Sequence, residues 1–295
     1  MKRKLLFGML FTAIITFGFY GCSGGDDGTS EPPAPKVEPS DSKETETLEK
    51  AEYKIAYPKG LLDTIIIDEE AKTITFAPEA EKTEYTFKGA FDGQIINKTK
   101  NTVIILSNAT LKNSDGKAAI YGELKTEIKA AEHTINTISS NANFEVKAAV
   151  LCEKGLEIGG AGTLTITGTN DETHAVKASK IELKGSGTFT FDGGSNASAI
   201  NCNDFIVETE RTFTANLKDS KNGIKADKTI EIASGTFNFE NTKTALKTDT
   251  SKEGETVEHF IKLEGGSFTF TNCKNIFSTD EGKFTKSESV TGDFE

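Results

Sequence analysis

A short unit repeats along most of this 295-residue chain and constrains its fold more than any other feature. Each copy opens with a small residue followed by an aliphatic one, and several copies add a second apolar pair and then a third apolar segment after a glycine-containing turn. Successive copies start 30, 26, 24, 24, 22 and 30 residues apart, at Ala119-Ile120, Ala149-Val150, Ala175-Val176, Ala199-Ile200, Gly223-Ile224, Ala245-Leu246 and Asn275-Ile276. Three short strands in a period of this length predict a solenoid with coils stacked one strand spacing apart.

Alternation within the third segments predicts which side chains enter the core. Alternate residues of a strand point to opposite faces, so apolar residues turn inward and the threonines between them face water. The predicted inward pairs are Leu164/Ile166, Phe189/Phe191, Phe237/Phe239 and Phe268/Phe270, with Thr212-Phe213-Thr214-Ala215 as the irregular member. The sequence therefore predicts an all-β, right-handed, single-stranded parallel β-helix, with the hand taken from the general preference of parallel crossovers. A β-sandwich or a propeller is the alternative, but both use antiparallel hairpins, and propeller blades need about 40 residues.

The first 21 residues have the pattern of a lipoprotein signal peptide. Basic residues at positions 2–4 precede an apolar run from Leu5 to Phe19, which is shorter than the about 20 residues of a membrane span. Gly21 then precedes Cys22, as in the lipobox of bacterial lipoproteins, although Phe19-Tyr20 departs from the common pattern. We predict that Cys22 is acylated and anchors the protein by lipid at the outer membrane or cell surface. Ordinary secretion, with Cys22 discarded or free, is the alternative.

Composition divides the rest of the chain. Residues 22–52 are mostly polar, Gly and Pro, and predict a disordered linker. Residues 53–90 predict an N-terminal β cap that contains a hairpin formed by Thr64–Ile67 and Thr73–Phe76. Residues 91–280 predict the β-helix, with a corner loop at Ser251–Glu255, and residues 281–295 predict a polar tail that caps the helix or frays.

The charge of the chain argues against nucleic acid as a partner. The net charge is −11, from 34 basic and 45 acidic residues. Removal of Lys2, Arg3 and Lys4 with the leader leaves 31 basic residues against 45 acidic ones, or −14. Affinity for nucleic acid depends on basic side chains that displace counterions.

Three cysteines fall within the folded part of the sequence. Cys152 and Cys202 share a coil position with Ala178 and Ala226, two coils apart. That separation is about 9–10 Å at one strand spacing per coil, which exceeds the reach of a disulfide. We therefore predict that both thiols stay reduced and buried, while Cys273 has no evident partner.

Several segments together resemble the bacterial carbohydrate-binding β-helix domain family. They are Asp92-Gly93-Gln94-Ile95, Asn101–Leu106, Ala118–Tyr121, Gly162–Ile166 and Asn222–Lys225. The resemblance extends from about Tyr85 to Asp280. It implies a surface-exposed lipoprotein or secreted protein with a polysaccharide partner and with calcium bound in the turns.

The chain departs from that family where calcium ligands are expected. Family coils carry a carboxylate just before the coil start, and the matching positions here are Ala148, His174, Ser198, Asn222, Thr244 and Lys274. Calcium needs six to eight oxygen ligands, usually including carboxylates. The sequence therefore predicts no metal site and no cofactor, and the dispersed His133, His174 and His259 lack the spacing of zinc ligands.

One outward coil position is the candidate carbohydrate-binding site. Lys177, Asn201, Lys225 and Lys247 share it, and a ladder of these side chains offers hydrogen-bond donors to sugar hydroxyls or carboxylates. The alternative is a soluble surface whose lysines have partners two positions further on, at Glu153, Asn203, Asp227 and Asp249. The mature chain has no Trp, so the sequence predicts no broad aromatic platform.

The sequence predicts a binding protein and not an enzyme. Glycoside hydrolysis uses two carboxylates about 5–9.5 Å apart, and Asp204 with Asp227, or Asp227 with Asp249, could reach that separation by repetition alone. Arg211 is the one arginine of the mature chain and follows Glu210, which favours an ion pair over a lyase base. An adhesin that binds a host or partner protein, and less so a polysaccharide lyase or hydrolase, are the alternatives.

Overall fold

The repeats form the coils of a parallel β-helix in the computed structural model of the protein. The structure describes residues 44–78, 82–100, 102–143, 145–250, 258–280 and 283–294. Within these ranges, 23 strands join into one continuous hydrogen-bonded sheet, with one 3-10 helix and no α-helix. The predicted parallel β-helix is confirmed, and its right-handedness stays a prediction.

Antiparallel hairpins close the N-terminal end. They are formed by β1 (Thr45–Glu49), β2 (Tyr53–Pro58), the 3-10 helix (Leu62–Thr64), β3 (Ile65–Asp68) and β4 (Thr73–Phe76). The hairpin of β3 and β4 was expected, but the prediction of a disordered linker to residue 52 is wrong at β1. Its polar sequence gains backbone hydrogen bonds from β2, and Leu48 packs against the core. Residues 22–43, the rest of that linker, lie outside the described residues.

The parallel ladder begins earlier than the predicted boundary at residue 91. Strand β4 pairs parallel with β6 (Gln94–Asn97), and β5 (Thr83–Asp92) pairs parallel with β7 (Thr102–Asn113). On its other edge β5 pairs antiparallel with β2. The predicted cap therefore overlaps the first coil, because β4 and β5 each carry an antiparallel partner on one edge and a parallel partner on the other.

The remaining strands form the later coils. They are β8 (Ile120–Gly122), β9 (Thr126–Ala130), β10 (Ile135–Ser140), β11 (Ala148–Gly160), β12 (Thr163–Gly168), β13 (His174–Leu183), β14 (Thr188–Asp192), β15 (Ser198–Val207), β16 (Thr214–Lys218), β17 (Asn222–Ile232), β18 (Thr236–Glu240), β19 (Thr244–Thr248), β20 (Phe260–Leu263), β21 (Ser267–Thr271), β22 (Asn275–Ser278) and β23 (Phe284–Lys286). Strands β11, β13, β15 and β17 each run around one corner, so the first two predicted strands of those coils are continuous.

These strands stack into three faces. Face A consists of β4, β6, β8, the first halves of β11, β13, β15 and β17, then β19 and β22. Face B consists of the first halves of β5 and β7, β9, the second halves of β11, β13, β15 and β17, then β20 and β23. Face C consists of the second halves of β5 and β7, then β10, β12, β14, β16, β18 and β21.

Stacked apolar side chains fill the interior as predicted. On face A, Val150, Val176, Ile200, Ile224 and Leu246 pair in successive coils and are fully buried. On face C the inward phenylalanines of β14, β18 and β21 line the core, and neighbouring rings lie in contact. Burying a side chain of this size contributes about 1.5–3 kcal/mol, so the repeated pairs hold the coils in register.

Left-handed backbone at one corner explains the glycines before face C. Gly160 has φ +100°, and a Cβ there would lie 2.1 Å from the carbonyl oxygen of Ala130 in the coil below. Glycine is the residue that adopts this conformation without steric cost. The same corner carries positive-φ glycines at Gly185, Gly235 and Gly266, whereas Glu210 takes a left-handed φ of 62° in the irregular coil.

The third strand of the irregular coil differs from the prediction by two residues. Thr214, and not Thr212, pairs with Thr188, so Ala215 and Leu217 occupy the inward positions of Phe189 and Phe191. Phe213 lies before the strand, fully buried, with its ring centroid 5.8 Å from that of Phe189. The Phe213 ring therefore fills core volume that the small side chain of Ala215 leaves empty.

The last coil and the tail also correct the sequence alignment. Asn275 pairs with Thr244 and Phe277 with Leu246, so the final coil starts at Ile276-Phe277, one residue later than predicted. The described part of the tail, residues 283–294, continues the solenoid, because β23 pairs parallel with β20 and Thr291 bridges to Ser267. Residues 281–282 and 295 lie outside the described residues, as does the predicted loop at 251–255.

Register and burial confirm the predicted state of two cysteines. Cys152 pairs with Ala178, Ala178 with Cys202, and Cys202 with Ala226, which places the cysteines two coils apart. All three cysteines of the described residues are free, and Cys152 and Cys202 are buried. Burial raises the pKa of Cys152 to about 12 and raises that of Cys202 as well.

Candidate functional site

The predicted ladder of polar side chains exists on face A. Lys177 pairs with Asn201, Asn201 with Lys225, and Lys225 with Lys247, each one coil apart. Their alternate neighbours on each strand are buried core residues, so all four point outward and are partly exposed. The structure thus brings together all four residues chosen from the sequence, with about 4.8 Å between successive rungs.

Lys225 is the ladder lysine with carboxylate partners. Its Nζ lies 2.8 Å from Asp227 Oδ1 and 3.3 Å from Asp249 Oδ1. Burial alone lowers the pKa of Lys225, but its hydrogen bonds to the two aspartates and their charges together raise it above the ordinary value. Lys225 therefore stays charged, and its charge is compensated within the protein.

Lys177 and Lys247 differ from Lys225. Neither makes an ion pair or a side-chain hydrogen bond with another residue of the described part of the chain. Their charged groups lie on opposite sides of Lys225 along the ladder. They leave two uncompensated positive charges on a protein whose net charge is negative.

The same column continues toward the N-terminus through apolar side chains. Lys177 pairs with Leu151, Leu151 with Tyr121, and Tyr121 with Ile96, and all of these side chains are partly exposed. Tyr121 is a residue of this column that was not predicted from the sequence. The signal was present, since Ala119-Ile120-Tyr121 has the same repeat position as Ala175-Val176-Lys177.

A carboxylate orients the Tyr121 side chain. The Tyr121 hydroxyl donates a hydrogen bond to Glu153 Oε1, two residues beyond Leu151 on the neighbouring coil. This bond, with smaller contributions from burial and from the charges of Glu153 and Glu123, raises the pKa of Tyr121 to about 12. The phenol therefore stays neutral at any physiological pH.

Face B has its own charged column, but its charges cancel. Glu127, Glu157 and Glu182 stack on successive coils and are bonded by lysines from both sides. Lys184 lies 3.1 Å from Glu157 and 3.2 Å from Glu182, and Lys125 also contacts Glu157. The uncompensated lysines of the face A ladder have no counterpart in this column.

The positions at which the family resemblance implies calcium ligands do not fit calcium here. With the corrected register they are Ala148, His174, Ser198, Asn222, Thr244 and Asn275 in place of Lys274. Asn222 Nδ2 donates to Ser198 Oγ at 3.1 Å, and the Ser198 amide donates to His174 Nδ1 at 2.8 Å. These groups satisfy one another and include no carboxylate. Within the described ranges, no three His, Cys, Asp or Glu side chains are arranged to hold a metal ion.

Candidate catalytic groups have structural partners. Arg211 donates to Glu208 Oε2 at 2.6 Å, which confirms the predicted ion pair although the partner is not Glu210. Asp204 accepts a hydrogen bond from Thr229, and Asp227 and Asp249 share Lys225.

No helix in the part of the chain that the structure describes has the length and hydrophobicity of a membrane span.

The fold and the column on face A define a parallel β-helix protein with a repetitive outward surface. The chain belongs to the family of carbohydrate-binding domain-containing proteins, which it matches over residues 69–179 and 169–288. A similar solved structure is described as "the polysaccharide lyase-like protein from C. thermocellum, Gadolinium derivative". It has a TM-score of 0.52 and 18% identity, and the match covers 77% of this chain and 94% of that chain. At this identity the similarity shows the fold alone. Among curated proteins, none matches this chain.

Proposed function

We propose that the protein is a non-catalytic, lipid-anchored surface protein that binds polysaccharide through the face A ladder of Lys177, Asn201, Lys225 and Lys247. The observation that carries this proposal is the uncompensated charge of Lys177 and Lys247 within one straight ladder, in a chain of the carbohydrate-binding family. Ammonium groups donate hydrogen bonds to sugar hydroxyls and attract carboxylates. A straight ladder suits a linear polymer, because it places one hydrogen-bond donor at each coil along a line.

The absence of turnover is part of the proposal. Catalysis by paired carboxylates needs one protonated and one ionised group, but Asp227 and Asp249 both pair with the ammonium group of Lys225. The similar solved structure is named polysaccharide lyase-like, so lyase activity is the alternative to test. Release of unsaturated products from pectin or another uronate polymer by the purified protein would contradict the proposal.

Binding is tested on an array of polysaccharides, with and without calcium. The double variant Lys177→Glu/Lys247→Glu should bind about tenfold more weakly or worse, equivalent to at least about 1.4 kcal/mol. The matched control is Lys88→Glu/Lys112→Glu, which makes the same change in charge at exposed lysines of β5 and β7. Equal binding by both double variants would remove the ladder from the proposal. Binding to a partner protein, together with no binding to any glycan on the array, would favour the adhesin hypothesis.

Anchoring through Cys22 is tested separately, because Cys22 lies outside the described residues. Replacement of Cys22 by Ala removes the proposed acylation site. The variant should appear in the soluble fraction, while wild type sediments with membranes. Continued membrane association of Cys22→Ala would show that another feature holds the protein there.

A further inference from the structure

The face A column has two chemically different halves. Ile96, Tyr121 and Leu151 form three successive apolar rungs, and Lys177 begins the polar half that ends at Lys247. Each side chain is the direct register partner of the next, so the change from apolar to cationic occurs within a single step between coils. From Tyr121 to Lys247 there are five steps, or about 24 Å at one strand spacing each.

Carboxylates lie beside the column at both ends, but only Asp227 and Asp249, at the polar end, are paired with a lysine of the column. Glu123 and Glu153 lie next to Tyr121, and both carboxylates act on its phenol group. These carboxylates disfavour an anionic ligand group at Tyr121. Lys177 and Lys247, which have no carboxylate partner among the described residues, favour one further along.

A tyrosine ring in such a place suits a pyranose ring. The C–H bonds on the face of a sugar present an apolar surface, and an aromatic ring offers a flat surface with a polar hydroxyl at one end. The hydrogen bond to Glu153 restricts how the phenol can turn. Glu153 is thus a positioning residue, which reduces the conformational entropy that Tyr121 would lose on binding.

We propose that the column is a two-part glycan site in which Tyr121 and Leu151 stack on an uncharged pyranose ring, while Lys177 and Lys247 bind carboxylated residues of the same chain. The ligand class is a linear heteropolysaccharide with neutral and carboxylated residues, lying along the solenoid axis. This inference rests on the proposed function, since it assigns the ligand chemistry of the same ladder. It adds Tyr121 and Leu151 as residues that determine specificity.

The test uses the full chain and three soluble probes measured by calorimetry. They are hyaluronan oligosaccharides, which alternate neutral and carboxylated residues, fully carboxylated oligogalacturonates, and neutral chito-oligosaccharides. Hyaluronan of at least about 24 Å should bind most tightly. Tyr121→Ala should weaken that binding about tenfold at any ionic strength, or about 1.4 kcal/mol. The loss in Lys177→Gln should shrink as salt is added, because exposed charges are screened.

Tyr121→Phe supplies a second readout that does not depend on Tyr121→Ala folding. Phenylalanine keeps the stacking surface, so its affinity should stay within about twofold of wild type, or about 0.4 kcal/mol. The other described tyrosines, at positions 53, 57 and 85, are buried. Hyaluronan should therefore change the tyrosine fluorescence of wild type but not that of Tyr121→Phe.

The outcomes separate this inference from the function on which it rests. If wild type binds a probe and Tyr121→Ala binds it equally well, the two-part site is wrong and the proposed polysaccharide binding remains. The same conclusion follows if Tyr121→Phe keeps the full fluorescence change. If wild type binds no glycan on the array or among the probes, the proposed function and this inference fail together.

Discussion

The rings of Phe237 and Phe268 lie face to face, with centroids 5.3 Å apart and planes inclined by 9°. They belong to adjacent coils and are direct register partners on face C. Removal of one ring leaves a void that only the neighbouring coils can fill. Phe237→Ala should therefore lower the free energy of unfolding by about 3–5 kcal/mol, measured by urea denaturation.

Thr236→Ala is the control for that prediction. Thr236 precedes Phe237 on the same strand but faces outward, so its loss should change stability by less than about 0.5 kcal/mol. A similar loss of stability in both variants would mean that the two side chains do not lie on opposite faces of the strand.

The carboxylate of Glu157 is held by lysines from two coils. Lys125 and Lys184 contact it, while its side chain is only 10% exposed. Glu157→Gln should cost about 1–2 kcal/mol, between the values for a surface pair and a buried pair, since the freed lysines can still reach water. Glu264→Gln breaks a pair with Lys262 that is exposed on both sides and should leave stability nearly unchanged. An equal effect of both changes in a chemical denaturation series would contradict the role given to the face B network.

His174 should make stability depend on pH. Burial is the main cause that lowers its pKa to about 4 from an ordinary 6.5. The unfolded chain therefore binds a proton more readily than the native protein between these values. The stability that follows from this difference in pKa is fully present above about pH 6.5 and is lost as the pH falls toward 4. The loss in the free energy of unfolding amounts to at most about 3 kcal/mol.

His174→Asn isolates the histidine from the carboxylates. An asparagine side chain offers an oxygen to the Ser198 amide but does not titrate in this range. Urea unfolding at several pH values from 4 to 7.5 should show a shallower slope for the variant than for wild type. Equal slopes of the unfolding free energy against pH in the variant and in wild type would exclude His174 as the source of the pH dependence.

The three folded cysteines should react differently with iodoacetamide. The thiolate is the reactive form, and burial raises the pKa of Cys152 and Cys202. Cys273 is only partly buried, and its thiol forms a hydrogen bond with the Thr242 hydroxyl. Peptide mass spectrometry of the native protein should find Cys273 modified first, with the other two modified only after denaturation. If Cys152 of the native protein were labelled as fast as Cys273, the burial of the Cys152 thiol would be contradicted.

Much of the fold follows from repeat spacing, because a small residue before an aliphatic one marks the same buried position in each coil. Ala175-Val176 and Ala199-Ile200 are aligned in this way without structural information. The rule fails where local residues imitate the pattern. Asn275-Ile276 looks like a coil start, but Phe277 is the register partner of the buried Leu246, although Phe277 itself is 38% exposed in this last coil. Phe213 looks like a strand residue, but it fills space beside Ala215.

Only half of the site was predicted, because both halves share the repeat spacing but only the polar half is also marked by charge. Lys177 and Lys247 are evident from their spacing, whereas Tyr121 occupies the same column in a coil whose other residues give no sign of function. Strand β1 was missed for a related reason. Its polar sequence predicts disorder, and only pairing with β2 makes it a strand.

The hairpin of β1 and β2 closes one end of the solenoid, and the consequence is mechanical. A coil is held only by its two neighbours, so tension would peel the structure apart from the end without that hairpin. Lys247 lies one rung from Ser278 in the last coil, whereas Tyr121 lies two rungs from Thr75 of β4, which pairs with β3 in the other N-terminal hairpin. Mechanical load on a polysaccharide bound as we propose would therefore act first on the coils that carry Lys247.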